Sequence, residues 1–184
     1  IVNHTVSGFA DRLLASRIAF RGAATISSVV WSVGISNFNL TSIIASGISP
    51  NASIWTLQNP ASGDGTVTVT FSALVAGVMI VSDYSDVDFA TPTDGANSAS
   101  GNSTTPSVTI TSRNQDLVID MIAANAQAGT ETATVGAGQT IDGSDIQGAG
   151  AVFVRGACSH EDGAASVVMD WTLSVSRAWE SCGL

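Results

Sequence analysis

An all-β fold is predicted for this chain, a single antiparallel β-sandwich of jelly-roll type with about ten strands over residues 1–184. Three observations predict it. Residues 65–88, GTVTVTFSALVAGVMIVSDYSDVD, hold two strand-like runs. In the first, Val67, Val69 and Phe71 alternate with Thr66, Thr68, Thr70 and Ser72, the period of a half-buried strand. The second, 74–81, is apolar almost throughout and reads as a strand covered on both sides or closing a core. Composition agrees: 45% of residues are hydrophobic and only 11% charged, with Gly, Ser, Thr, Asn and Ala filling turns and pleated surfaces. Turn clusters also recur at the spacing of short strands.

In chain order, 1–7 reads as a strand that turns at Ser7-Gly8, and 13–20 alternates, with Leu14, Ile18 and Phe20 on one face and Arg17 on the other. Strands follow at 26–31, 37–44 and 52–57, with Gly47, Pro50 and Asn51 in the loop before the last. Asn59-Pro60 and 62–65 form a turn cluster before the pair at 65–81, the expected nucleus. Residues 82–107 are a long polar surface segment with two prolines. Strands at 107–111 and 117–123 are expected to form a hairpin through 113–116. Residues 124–148 are rich in Gly, Ala and Thr, with one β-like run around 132–135. Strands at 149–158, 166–175 and 177–182 close the chain, with a turn at 160–163. No helix of three turns and no internal repeat is visible.

Charge excludes some functions. Fifteen acidic residues face six arginines and no lysine, for a net charge of −9. A nucleic-acid surface needs clustered basic residues that this chain lacks, and an anionic membrane is disfavoured for the same reason. No apolar run reaches the length of a membrane-crossing helix. The chain opens at Ile1 in strand-like sequence, which fits a processed product or one piece of a longer polypeptide. The segment 1–7 is the expected intersubunit strand. An even pair of cysteines, Cys158 and Cys182, suggests an extracellular protein with one disulfide, two buried free thiols being the alternative. Sequons at Asn3, Asn39, Asn51 and Asn102 carry little weight in a chain so rich in Ser and Thr.

The runs RLLASRIAF (12–20), SSVVW (27–31), ASIWTLQNPASGDGTVTVTFSA (52–73), VSDYSDVDFATPTDG (81–95), TPSVTITSRNQDLVIDMIAANA (105–126), VGAGQT (135–140) and MDWTLSVSRAW (169–179) resemble a β-sandwich module. That module recurs in phage structural proteins and in secreted or surface proteins of bacteria. The chain departs from it at Ser85-Asp86-Val87-Asp88, where Asp86 replaces the usual Gly. The resemblance implies a non-catalytic building block displayed outside cells or on a virion.

Candidate chemistry is sparse. Only His4 and His160 can act as bases near neutral pH. Ser159, His160 and Asp162 lie close in sequence, yet neighbours on a hairpin point apart, so they read as a solvated turn. Glu131, Glu161 and Glu180 are the only glutamates; Asp120 and Asp170 lie in apolar strands and are the carboxylates expected to be part-buried. Asp83, Asp86 and Asp88 are the candidate Ca²⁺ ligands, with Asp94, Asp142 and Asp145 as further acidic turn residues. Apart from that ion no cofactor is expected. Tyr84 is the candidate glycan platform, expected exposed, whereas Trp171 belongs to the core and Trp31, Trp55 and Trp179 are weaker stacking candidates.

The expected function is a non-enzymatic structural or display module of an extracellular assembly, first a virion surface or decoration protein. A bacterial or archaeal surface filament or adhesin subunit is the alternative, then a carbohydrate-binding module. Its partners would be copies of itself or other subunits, and surface glycans, with no nucleic acid and no membrane insertion.

Overall fold

A computed structural model describes residues 1–45, 49–127, 129–150 and 152–184. The expected loop position Gly47 lies outside the described residues. The described residues are all-β, and the sixteen strands among them exceed the expected ten because short edge strands carry too little apolar pattern to be read. They are β1 (Val2–Val6), β2 (Leu13–Arg21), β3 (Ile26–Val33), β4 (Ser36–Asn39), β5 (Thr41–Ala45), β6 (Asn51–Gln58), β7 (Gly63–Phe71), β8 (Ala76–Tyr84), β9 (Asn97–Ser103), β10 (Ser107–Ile110), β11 (Leu117–Ala126), β12 (Ala133–Val135), β13 (Thr140–Ala149), β14 (Val152–Asp162), β15 (Val167–Leu173) and β16 (Arg177–Gly183).

Four antiparallel sheets result, in strand orders β1-β7-β3-β4, β5-β6-β2-β8, β13-β14-β11-β16-β9 and β10-β15-β12. Apolar clusters show how they stack. Leu14, Ile18 and Phe20 of β2 pack with Val6, Val29, Trp31 and Val67 of the first sheet. The opposite face of the second sheet, with Ala15, Ala19, Ala52, Ile54 and Val78, meets Ile119, Met121, Ala123, Val154 and Cys158 of the third. The third sheet's remaining face carries Ile122, Ala124 and Val118 against Trp171, Leu173, Val167 and Met169 of the fourth. The sheets therefore form a four-layer, sandwich-like stack.

This stacking corrects two expectations. The runs in 65–81 form no paired nucleus: β7 pairs with β1 and β3 in an outer sheet, whereas β8 pairs with β2 at an inner edge. The hairpin through 113–116 is absent, because β10 pairs with β15 while β11 pairs with β14 and β16. The central strands are instead β2, buried from Leu13 to Phe20, and β11, buried from Val118 to Ala124. Both have a sheet on each face, so alternation marks which layer a side chain enters rather than wet from dry.

The halves also repeat. Exchanging β1, β7 and β3 for β10, β15 and β12, and β5, β6, β2 and β8 for β13, β14, β11 and β16, converts one pair of strand orders into the other, with β4 and β9 left over as unmatched edge strands. Register follows: Leu13↔Gln58 and Ile18↔Ser53 in one half match Leu117↔Asp162 and Ile122↔Ala157 in the other. Phe20↔Gly77 matches Ala124↔Trp179. Even the β-bulge recurs, at Ile43 between Ser42 and Ile44 and at Asp142 between Ile141 and Gly143. Connectivity and register repeat while residue types mostly do not, which is why no repeat shows in the sequence.

Small side chains let the inner sheets approach. Ala15, Ala19, Ala52 and Ala123 line the interface, and a Cβ on Gly156 would lie 2.8 Å from Val78 and 3.0 Å from Ala19. A larger residue there would force the layers apart.

Candidate functional site

Two clusters of hydrogen-bonded polar groups reach the interior. One is the inner layer at the middle of β2. Arg17 has no exposed surface; its Nη1 donates to Asp142 Oδ2 at 2.6 Å and its Nη2 to Ser82 Oγ at 2.6 Å. Asp142, pushed inward by the bulge in β13, also meets His160 Nδ1 through Oδ1 at 2.6 Å. A buried cation thus holds a carboxylate that orients a part-exposed imidazole. Burial opposes the Arg17 charge, but Tyr84, Cys158 and Asp142 around it outweigh that and hold its proton affinity above the ordinary guanidinium value.

His160 lies within β14 rather than in the expected turn. Its carboxylate partner is Asp142, from the neighbouring strand, and not Asp162. Ser159 faces the other side of the sheet, as alternation requires, and donates to Asp120. Among the described residues no nucleophile is hydrogen-bonded to the Asp142–His160 pair. The clefts of about 560, 580 and 900 Å³ are lined by other residues.

The second place is the outer C-terminal layer. Asp120, with no exposed surface, accepts from Ser159 N at 2.8 Å, Ser159 Oγ at 2.7 Å and Trp171 Nε1 at 2.6 Å. Gln139 Nε2 donates to Ser159 Oγ, and Gln139 Oε1 accepts from Asp170 N. Burial pushes Asp120 up to about 6, against the pull of Trp171 and Ser159. Its oxygens are committed to three donors, so it anchors the layer rather than facing a substrate.

The carboxylates of the acidic segment are engaged separately. Asp83 turns to His4 at 3.0 Å and to Ser7 N and Oγ at 3.1 and 2.9 Å. Burial raises its proton affinity, but bonds from Ser7 and His4 outweigh that and hold it below the ordinary carboxylate value. Asp88 caps its own turn, accepting from Ala90 N and Thr91 Oγ1. With Asp86 they line a cleft of about 580 Å³ that Arg113 also lines, and Arg113 is paired with Asp94 at 2.8 Å. Among the described residues no group of three His, Cys, Asp or Glu is placed to hold a metal. Asp86, standing where the module has Gly, adopts φ 59°, a left-handed conformation that Asp tolerates at some cost.

Tyr84 is not the exposed ring expected. It packs on the inner core, and burial pushes its hydroxyl up to about 12. Trp31, Trp171 and Trp179 are buried too, so these rings stabilise layers instead of presenting flat faces.

The expected Cys158–Cys182 disulfide is absent; both are buried free thiols. Met121 pairs with Cys182 on one side, and the β11–β14 register sets Cys158 on its other side. Two strand spacings, about 10 Å, exceed the roughly 7 Å that a disulfide spans. Burial pushes Cys158 up to about 12. The segment 1–7 likewise has its partner within the chain, β1 lying antiparallel to β7. The polar segment 82–107 contains β9, which pairs with β16.

Comparison of the chain with protein-family models, with curated proteins and with solved structures finds no match. The likeness to the phage and bacterial module rests on its strand motifs alone. No helix among the described residues is long and apolar enough to cross a membrane.

Proposed function

We propose that the chain is a non-enzymatic structural or display module of an extracellular assembly, a two-lobed sandwich of jelly-roll type, with a virion surface as its first setting. One observation carries this reading: the interior charged groups Arg17, Asp142 and Asp120 are spent on holding layers together. Arg17 and Asp142 bridge the second and third sheets, and Asp120 ties β11 to β14 and β15. The exterior supplies what a building block needs, a charge of −9 that keeps particles dispersed. A cell-surface filament subunit would draw on the same features. A glycan-binding role has less support, since Tyr84 is packed inward.

Electron microscopy and light scattering on the purified chain test the proposal. Symmetric oligomers or filaments are expected, together with silence on a glycan array. A monomer at high concentration that hydrolyses a substrate, with turnover lost in His160→Ala, would overturn it.

A further inference from the structure

The repeated halves differ at one edge. In the C-terminal half β16 is covered by β9, with Gly101 opposite Trp179. Its counterpart β8 ends the second sheet, with no strand beyond it among the described residues. Residue types are exchanged as well. A Cβ on Gly101 would lie 2.7 Å from the Trp179 indole, so the resident strand must be small there and β16 supplies the bulk. In β8 the matching position is Gly77, where a Cβ meets only ordinary contacts, the nearest at 3.5 Å. The bulk missing from β8 leaves a groove of about 900 Å³ along its edge, which reaches Phe71 and Met79 on one side of the strand and Ile80 and Asp145 on the other.

We infer that the free edge of β8 is a docking site for an extended strand of another polypeptide, antiparallel to β8, with a bulky apolar side chain opposite Gly77. Alternation fixes the rest of its character. Side chains on the Gly77 side enter the apolar layer of Val69, Phe71 and Met79. Those between them point toward β13, where Asp145 is exposed, and a chain with charge −9 and no lysine favours basic groups there. The edge thus takes a strand alternating bulky-apolar and basic. A second copy of this acidic chain does not match that description. The inference stands apart from the virion setting, because particles can assemble through other surfaces.

The probe is a synthetic peptide of about nine residues, alternating Val and Lys with a central Phe, beside a scrambled peptide of the same composition. Amide hydrogen exchange of the whole chain is followed by NMR. At about 1 mM peptide, exchange at residues 76–80 is expected to slow by about tenfold with the alternating sequence and to be unchanged with the scrambled one. Leu74→Lys, on a fully exposed side chain that lines the groove, should keep the fold and weaken the effect by about fivefold through lost apolar area and like charge. Unchanged exchange at β8, equal slowing at the β4 and β9 edges, or slowing by protein concentration alone would each overturn the assignment. Particles by microscopy with an unprotected β8 would do so while leaving the proposed function standing.

Discussion

The two halves have one connectivity and opposite solutions to filling it. The N-terminal outer layer is held by one large apolar cluster, built on Leu14, Ile18, Phe20, Trp31 and Val67. Its C-terminal equivalent is split into two smaller clusters, and Asp120 with its three donors lies between them. In the inner layer the asymmetry reverses: Arg17 and the bulge residue Asp142 form an ion pair, while their counterparts Met121 and Ile43 belong to one apolar cluster. Topology sets where a side chain goes, and either a fully partnered polar set or a well-packed apolar one can fill the place.

The largest expected effect comes from breaking the Arg17 pair. Arg17→Met should cost about 4 kcal/mol by leaving Asp142 without its cation in the inner layer. Arg17→Met with Asp142→Ile, which imports the solution of the other half, should recover most of that. Urea denaturation of the three proteins checks it; a double variant no better than the single one breaks the comparison.

Asp120→Ala should cost about 3 kcal/mol, because Ser159 N, Ser159 Oγ and Trp171 Nε1 lose their acceptor. Its titration gives a second reading. A native value of about 6 lies above the unfolded carboxyl, so the folded chain holds the extra proton. The contribution of this group is therefore fully present below about pH 4 and is lost as pH rises through 6, by about 3 kcal/mol at the limit. Denaturation at pH 4 and pH 7 should show that slope in the wild type relative to Asp120→Asn.

Much of the local structure was legible in the sequence, and its assembly was not. β15 follows its alternation, with Met169, Trp171 and Leu173 buried and Val168 and Thr172 exposed. β2 shows the limit of such reading. Its pattern separates Leu14, Ile18 and Phe20 from Arg17, but nothing local says that a second sheet covers the Arg17 face; Ala15 and Ala19 beside it were the only hint. A β-bulge leaves no period in a Gly-rich strand, so the sequence places Asp142 in a turn. His160 and Asp142 come together through register between β13 and β14, a long-range property invisible to motif spacing.

Smaller effects sharpen the contrast at the matched glycines. Gly101→Ala should cost about 1–3 kcal/mol by driving a methyl into the Trp179 ring, whereas Gly77→Ala should stay within about 0.5 kcal/mol. Thermal melts of the pair decide it. Smallest of all, a reducing agent should leave the melting temperature unchanged, since Cys158 and Cys182 are separate thiols; a fall of several degrees would reveal a bridge.

Native-state hydrogen exchange puts the shared inner layer to the most direct test. If Ala15, Ala19 and Val78 truly lock onto Met121, Ala123 and Gly156, the slowest amides of β2 and of β11 should open with the same free energy, that of global unfolding. Slow amides in one half that survive while the other half exchanges would show two lobes merely in contact.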